Sequence, residues 1–178
     1  MQFLSFDRVF STALFYGGWC WCLNDVALGR PLYGLGSVFA IIIYQLYRSS
    51  HPKADFSLLI VVSLLGPLSD ILYSYLGLLN YHTPFHSIPW LPPLWIFLLW
   101  GLVAVNIPLF SWMHKKWFLA PMLGAIGGPF SYLSAVRLGG ASLLKPLPLT
   151  FIVIGGMWAI FLPTLMWLSE RFKVWFKG

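Results

Sequence analysis

Runs of about 20 mostly apolar residues recur along the whole chain, and a run of that length with few charges is long enough to cross a bilayer as a helix. Six such runs can be read: Val9 to Leu28, Leu32 to Tyr47, Phe56 to Gly77, Leu91 to Phe110, Trp117 to Leu138 and Phe151 to Leu168. Backbone amides in hydrocarbon must be paired within their own segment, so each run is expected to be helical. The second is short, with aromatic ends at Tyr33, Tyr44 and Tyr47. Helix breakers mark the joins at Gly29-Arg30-Pro31, His51-Pro52, Pro89, Pro92-Pro93 and Lys145-Pro146-Leu147-Pro148. With 59% hydrophobic and 9% charged residues, the chain has too little polar surface to coat a soluble globule of this size. The expected fold is all-α, a single polytopic membrane helix bundle of six transmembrane helices over residues 1–178.

The charges lie between the runs, and their distribution sets an orientation, because Lys and Arg are retained on the cytoplasmic side. Eight of the eleven (Arg8, Arg48, Lys53, Lys115, Lys116, Arg171, Lys173 and Lys177) fall on one side of a six-span arrangement. Arg30, Arg137 and Lys145 fall on the other. Both termini are therefore expected in the cytoplasm, and the first run, with no small-x-small cleavage pattern, is expected to be a retained span. The net charge of +6 is spread over several short loops and lines no single face, so no nucleic-acid partner is expected. Of ten tryptophans, Trp90, Trp95, Trp112, Trp117, Trp167 and Trp175 are placed near span ends, where an indole N–H stays wet. The alternation of charged and aromatic residues from Glu170 to Lys177 is expected to lie along the inner surface. Cys20 and Cys22 are two apart in one run and do not share a helix face, so they are read as two small apolar side chains.

Gly66-Pro67-Leu68-Ser69-Asp70, in the third run, is echoed by Gly128-Pro129-Phe130-Ser131 in the fifth, 62 residues later. At that offset residues 31–77 align with 93–139 without a gap and share ten of 47 positions, where about three or four are expected by chance from so biased a composition. This suggests that spans two and three duplicate spans four and five, related by an axis along the membrane normal. Pro67 and Pro129 should kink their helices, with Ser69 and Ser131 as candidate partners for the freed backbone groups. Ala120, Gly124 and Gly128 form a small-residue stripe, and Ser63, Gly66, Asp70, Ser74 and Gly77 form a polar one. Spans three and five are thus expected to face the bundle interior, with Gly66, Pro67, Gly124, Gly128 and Pro129 as packing positions.

Asp70 is the sole acid within an apolar core, and an ionised carboxylate there must be buried in protein, hydrated or protonated. It sits about 10 Å below the outer end of its span at 1.5 Å per residue. Arg137, near the outer end of span five, is within snorkelling reach. Asp70, Arg137, Ser69, Ser131, Asn24 and Asp25 are accordingly candidates for a polar pocket opening outwards, with a packing-only Asp70–Arg137 pair as the alternative. His82 and His86 are four apart and are weak metal candidates, since Pro84 interrupts a regular helix and no third ligand is near. His51 and His114 fall in inner loops, so no histidine lies inside a span where an axial haem ligand would be. No cofactor is expected. Intramembrane proteolysis lacks its second carboxylate or its serine–histidine pair, and Asn106, two before Pro108, is read as satisfying a kinked backbone.

Leu91-Pro92-Pro93-Leu94-Trp95 through Trp100, and Gly124-Ala125-Ile126-Gly127-Gly128-Pro129-Phe130-Ser131-Tyr132 through Arg137-Leu138-Gly139, resemble small bacterial inner-membrane proteins classed as a domain of unknown function. The chain length and the Ser69-Asp70 span fit as well. Members of that group are often encoded beside cyclopropane-fatty-acid-type lipid-modification genes, so the resemblance implies at most a lipid-related role, and it supplies no catalytic residue. Three readings follow for the function. One is a polar pocket near the outer leaflet serving lipid modification or small-solute handling, with the bilayer and a lipid or small molecule as partners. The others are an accessory subunit without its own catalysis and a small transporter.

Overall fold

The computed structural model describes residues 2–82, 91–113, 116 and 118–177, with side chains from Arg8 onward. The expected metal candidate His86 lies outside the described residues, as do Pro84, Pro89, Trp90, His114, Lys115 and Trp117. Six α-helices run in chain order as α1 (Gln2–Ala27), α2 (Pro31–Arg48), α3 (Pro52–Tyr75), α4 (Leu94–Asn106), α5 (Leu119–Arg137) and α6 (Leu147–Trp175). Four segments are long and apolar enough to cross a membrane: α3, α4 with the 3-10 helix Ile107–Met113 that continues it, α5 and α6. The helices α1 and α2 are not among those four.

Local chemistry places the boundaries. Pro31 and Pro52 open α2 and α3, where the missing N–H is one the first turn would leave unpaired anyway. α1, α3 and α5 all end alike. In α3 the Gly77 N–H donates to Ser74 O and the Leu78 N–H to Tyr73 O, and in α5 Gly139 donates to Val136 O and Gly140 to Ala135 O. These are Schellman closures, and they require a left-handed residue, supplied by Gly77 at φ 64° and Gly139 at φ 84°. Gly77→Ala and Gly139→Ala should each lower stability by about 1 kcal/mol, measured by denaturant titration in bicelles.

After the two turns come short strands that are absent from an all-α reading. β1 (Leu79–Tyr81) pairs antiparallel with β2 (Ala141–Leu143), with Asn80 opposite Ser142 at the centre. The ladder is extended by His82 N–H to Gly140 O at 2.9 Å and Leu144 N–H to Leu78 O at 3.0 Å. Three residues per strand are too few to stand out in sequences this apolar. The backbone at this end of the bundle is thereby paired across two loops, as polar groups near lipid must be.

The helices pack chiefly as three antiparallel hairpins, α1 with α2, α3 with α4 and α5 with α6, and α4 also touches α1 and α2. The expectation that spans three and five face the interior therefore changes. The most enclosed segment is α4 with its 3-10 extension, 56% of which is buried, against 39% for α3 and 28% for α5. Its core contribution comes from Trp95, Ile96, Trp100, Leu102 and Val105. The α3 and α5 stripes are nonetheless buried as narrow seams, while Leu64, Leu65, Leu68, Ile126 and Phe130 face outward as apolar surface. That outer face suits lipid.

Gly66 lies against the Trp100 indole, and Gly124 and Gly128 against Trp158 of α6; a Cβ at any of the three would overlap its neighbour. Trp100 and Trp158 in turn stack, with ring centroids 5.1 Å apart and planes 7° from parallel. Two tryptophans thus fill the space that the glycines leave. Trp95, expected at a wet span end, is buried instead and donates its indole N–H to His82 O at 3.4 Å. The C-terminal charged and aromatic residues are not a separate surface segment, since α6 runs unbroken for 29 residues to Trp175. At 1.5 Å per residue that is about 43 Å, longer than a hydrocarbon core of about 30 Å.

Candidate functional site

Asp70 occupies the point where α3, α4, α5 and β1 meet, and it is fully buried. Its Oδ1 accepts the Tyr81 hydroxyl at 2.5 Å and the Tyr132 hydroxyl at 2.9 Å, and its Oδ2 accepts the Trp100 indole N–H at 2.7 Å. Three neutral donors from three different elements therefore surround one carboxylate. Hydrogen bonds to an acceptor of this kind are among the stronger ones, and they hold it without a cation. Tyr73, also fully buried, packs edge-on to Tyr132 with ring centroids 5.4 Å apart.

The expected Asp70–Arg137 pair is not formed. Arg137 is the last residue of α5 and is exposed, and both oxygens of Asp70 are already occupied by the Tyr81, Tyr132 and Trp100 donors. Ser69 and Ser131 turn back onto their own helices, each donating to the carbonyl three residues earlier, Gly66 O and Gly128 O, at 2.7 Å. Those are not the carbonyls freed by the prolines, which belong to Ser63 and Ala125. Ala125 O instead faces the bare Cα of Gly155 on α6. Asn24 is exposed, whereas Asp25 is buried, pairs with Arg30 at 3.4 Å and keeps its Oδ2 without a partner among the described residues. The six polar candidates are thus spread over three separate places.

A shallow cavity of about 500 Å³ lies at the strand-ladder end, lined by Val26, Ala27, Gly29, Asn80, Tyr81, His82 and Gly139 and by none of the six polar candidates. Its link to Asp70 is Tyr81, which lines the cavity and donates its hydroxyl hydrogen bond to the carboxylate behind it. Burial first, and the neighbouring Asp70 carboxylate second, push the Tyr81 hydroxyl well above the usual phenol range, so it remains a donor at neutral pH. His82 has Nδ1 on Gly139 O at 2.6 Å and Nε2 on Ser142 Oγ at 2.9 Å. Both ring nitrogens are engaged in bracing the ladder, and no group of three His, Cys, Asp or Glu side chains among the described residues is placed to hold a metal.

Against known families, residues 8–164 match a family described as a protein of unknown function, DUF2878. The chain belongs to this family. Comparison with curated proteins and with solved structures returns no match. In this DUF2878 member the carboxylate of Asp70 is held by donors from α4, α5 and β1.

Tyr81, Trp100 and Tyr132 are absent from the sequence reading of the site, yet two of them left a signal. Tyr132 is 62 residues after Asp70, its counterpart in the offset alignment. Trp100 sits in the middle of a span, where an indole N–H has no water and must find an acceptor. Tyr81 left none, because its approach depends on the ladder. Asn106 donates to Leu102 O at 2.8 Å, not to the Ala104 carbonyl that Pro108 frees, and it also accepts from Gln45 Nε2 at 3.3 Å, whose Oε1 accepts from Ser11 at 3.3 Å. This polar chain ties α1, α2 and α4 together near the opposite end of the bundle.

Proposed function

We propose that this protein is a six-span protein of the bacterial inner (plasma) membrane, with both termini in the cytoplasm, that takes a small polar solute or a lipid headgroup in the pocket walled by Tyr81 at the outer leaflet. The eight-to-three division of Lys and Arg supports the orientation. The observation that carries the pocket is the double role of Tyr81, which meets the cavity on one side and Asp70 on the other. A ligand that shifts the Tyr81 ring moves its hydroxyl and so alters the donor set of a carboxylate that joins α3, α4 and α5. Binding would then be felt by the packing of the bundle, which suits lipid modification or solute handling.

An internal duplication belongs to the same reading. The turns at Gly77 and Gly139 are made by the same backbone bonds 62 residues apart, and the ladder centres on Asn80 and Ser142, also 62 apart. This register supports a duplication of residues 31–77 as 93–139, spans two and three as spans four and five, related by an axis along the membrane normal.

Tyr81→Phe tests the pocket, because Asp70 Oδ1 keeps Tyr132 and the fold is retained. In a deletion strain complemented at the wild-type membrane level, the variant should lose about tenfold of the protein's effect on membrane lipid profile or solute uptake. Full complementation by Tyr81→Phe would favour the second reading, an accessory subunit. The saturation of Asp70 by protein donors is the observation on that side, since it describes a packing knot.

A further inference from the structure

At the end of the bundle opposite the ladder, the α2–α3 turn, the end of α4 and the last turns of α6 surround a second cavity of about 370 Å³. The turn between α2 and α3 builds its polar wall. Ser49 Oγ accepts the His51 N–H at 2.9 Å and donates to Asp55 Oδ2 at 2.6 Å, which fixes the carboxylate in the first turn of α3. Asp55 is only 7% exposed, and its Oδ1 has no hydrogen-bond partner among the described residues. A buried carboxylate oxygen left open is costly, and a donor is missing there.

Arg48 and Lys173 bring cationic side chains to the same cavity, the latter also donating to Glu170 at 2.7 Å. Two cationic side chains therefore border the cavity, Lys173 already paired with Glu170, beside one buried oxygen that wants a donor. An ammonium group meets that oxygen best, because it offsets the buried negative charge as well as hydrogen-bonding it. The cavity exceeds the room of a few waters at about 30 Å³ each. Phe10, Tyr44, Val105 and Leu109 give it an apolar flank.

We propose that this cavity binds a phosphoethanolamine group, with its ammonium on Asp55 Oδ1 and its phosphate between Arg48 and Lys173. The apolar flank, and a position among the Lys- and Arg-rich ends, suit the headgroup of an inner-leaflet phospholipid; free O-phosphoethanolamine offers the same chemistry. The site is separate from the Tyr81 pocket and does not depend on it.

The test takes the full chain, purified and delipidated in detergent, and reads occupancy by native mass spectrometry. The probes are dioleoyl phosphatidylethanolamine, phosphatidylcholine, phosphatidylglycerol and free O-phosphoethanolamine. The ethanolamine lipid should bind about tenfold tighter than the choline lipid, whose quaternary ammonium has no N–H. Asp55→Asn should bring the two to near parity, while Lys173→Gln should weaken all three lipids alike by about threefold. Displacement of the lipid by free O-phosphoethanolamine would assign recognition to the group itself, and binding of the lipid alone would assign it to the membrane. Equal occupancy by the three lipids, a preference for phosphatidylglycerol, or an ethanolamine preference that survives Asp55→Asn overturns the proposal. The wild-type comparison decides even where a variant fails to fold.

Discussion

Asp70→Ala should cost about 3–5 kcal/mol of stability and Asp70→Asn about 1–3, measured by denaturant titration in bicelles. Alanine leaves three buried donors, the Tyr81 and Tyr132 hydroxyls and the Trp100 indole N–H, without an acceptor. In lipid no water takes over. The hydroxyls can rotate to seek another partner, but Trp100 is held by its stack on Trp158 and by Gly66 beneath it, so its N–H stays where it is. Asparagine still offers one oxygen, enough for the two tyrosines, and sets an amide N–H against the indole N–H. Tyr132→Phe alone should cost about 1 kcal/mol. Combined with Asp70→Ala it should add less than the sum, since the orphaned hydroxyl is then gone. An alanine variant as stable as the wild type would show that the carboxylate ties nothing together.

Much of this arrangement is legible in the sequence where the responsible chemistry is local. Pro31 and Pro52 mark helix starts, Gly77 and Gly139 mark helix ends, and the small stripe at Ala120, Gly124 and Gly128 marks a close approach, all because one residue's own geometry decides the outcome. The partner of Asp70 is a different kind of question. Charge alone nominates Arg137, at the right end of the right helix, but solvation decides against it. An arginine at a helix end reaches water easily, and moving its guanidinium inward would desolvate a second charge, whereas two phenols and an indole are already buried and lack acceptors. The apolar chemistry that makes the spans obvious also hides the strand ladder, since Leu78, Leu79, Leu143 and Leu144 read as continuations of hydrophobic runs. The Asp55 cavity is equally invisible. Its parts are spread over Arg48, Asp55 and Lys173, and α6 reaches them only because it continues unbroken past its apolar section.

Gly124→Leu should abolish assembly of the bundle, and it separates packing from chemistry. A side chain at Gly124 meets the Trp158 carbonyl, an atom of the α6 backbone, so no rotamer change relieves the overlap. The two helices would have to move apart. Overpacking of a well-filled core usually costs about 1–3 kcal/mol, occasionally more, and a rigid backbone neighbour with a four-carbon side chain places this variant above that range. Separation of α5 from α6 would also pull Tyr132 from Asp70 and Trp158 from Trp100, so the loss spreads to contacts that Gly124 does not make itself. The expected result is loss of folded protein from the membrane fraction and a shift to aggregates in size-exclusion chromatography. Gly127→Leu is the matched control, because nothing lies within 4 Å of a Cβ there. It adds the same bulk to the next turn's lipid-facing side and should leave assembly unchanged. Equal tolerance of both substitutions would mean that α5 and α6 do not meet along this seam. Failure of Gly124→Leu alone would mean that close backbone approach, which only glycine permits at this position, is what places Tyr132 over the carboxylate.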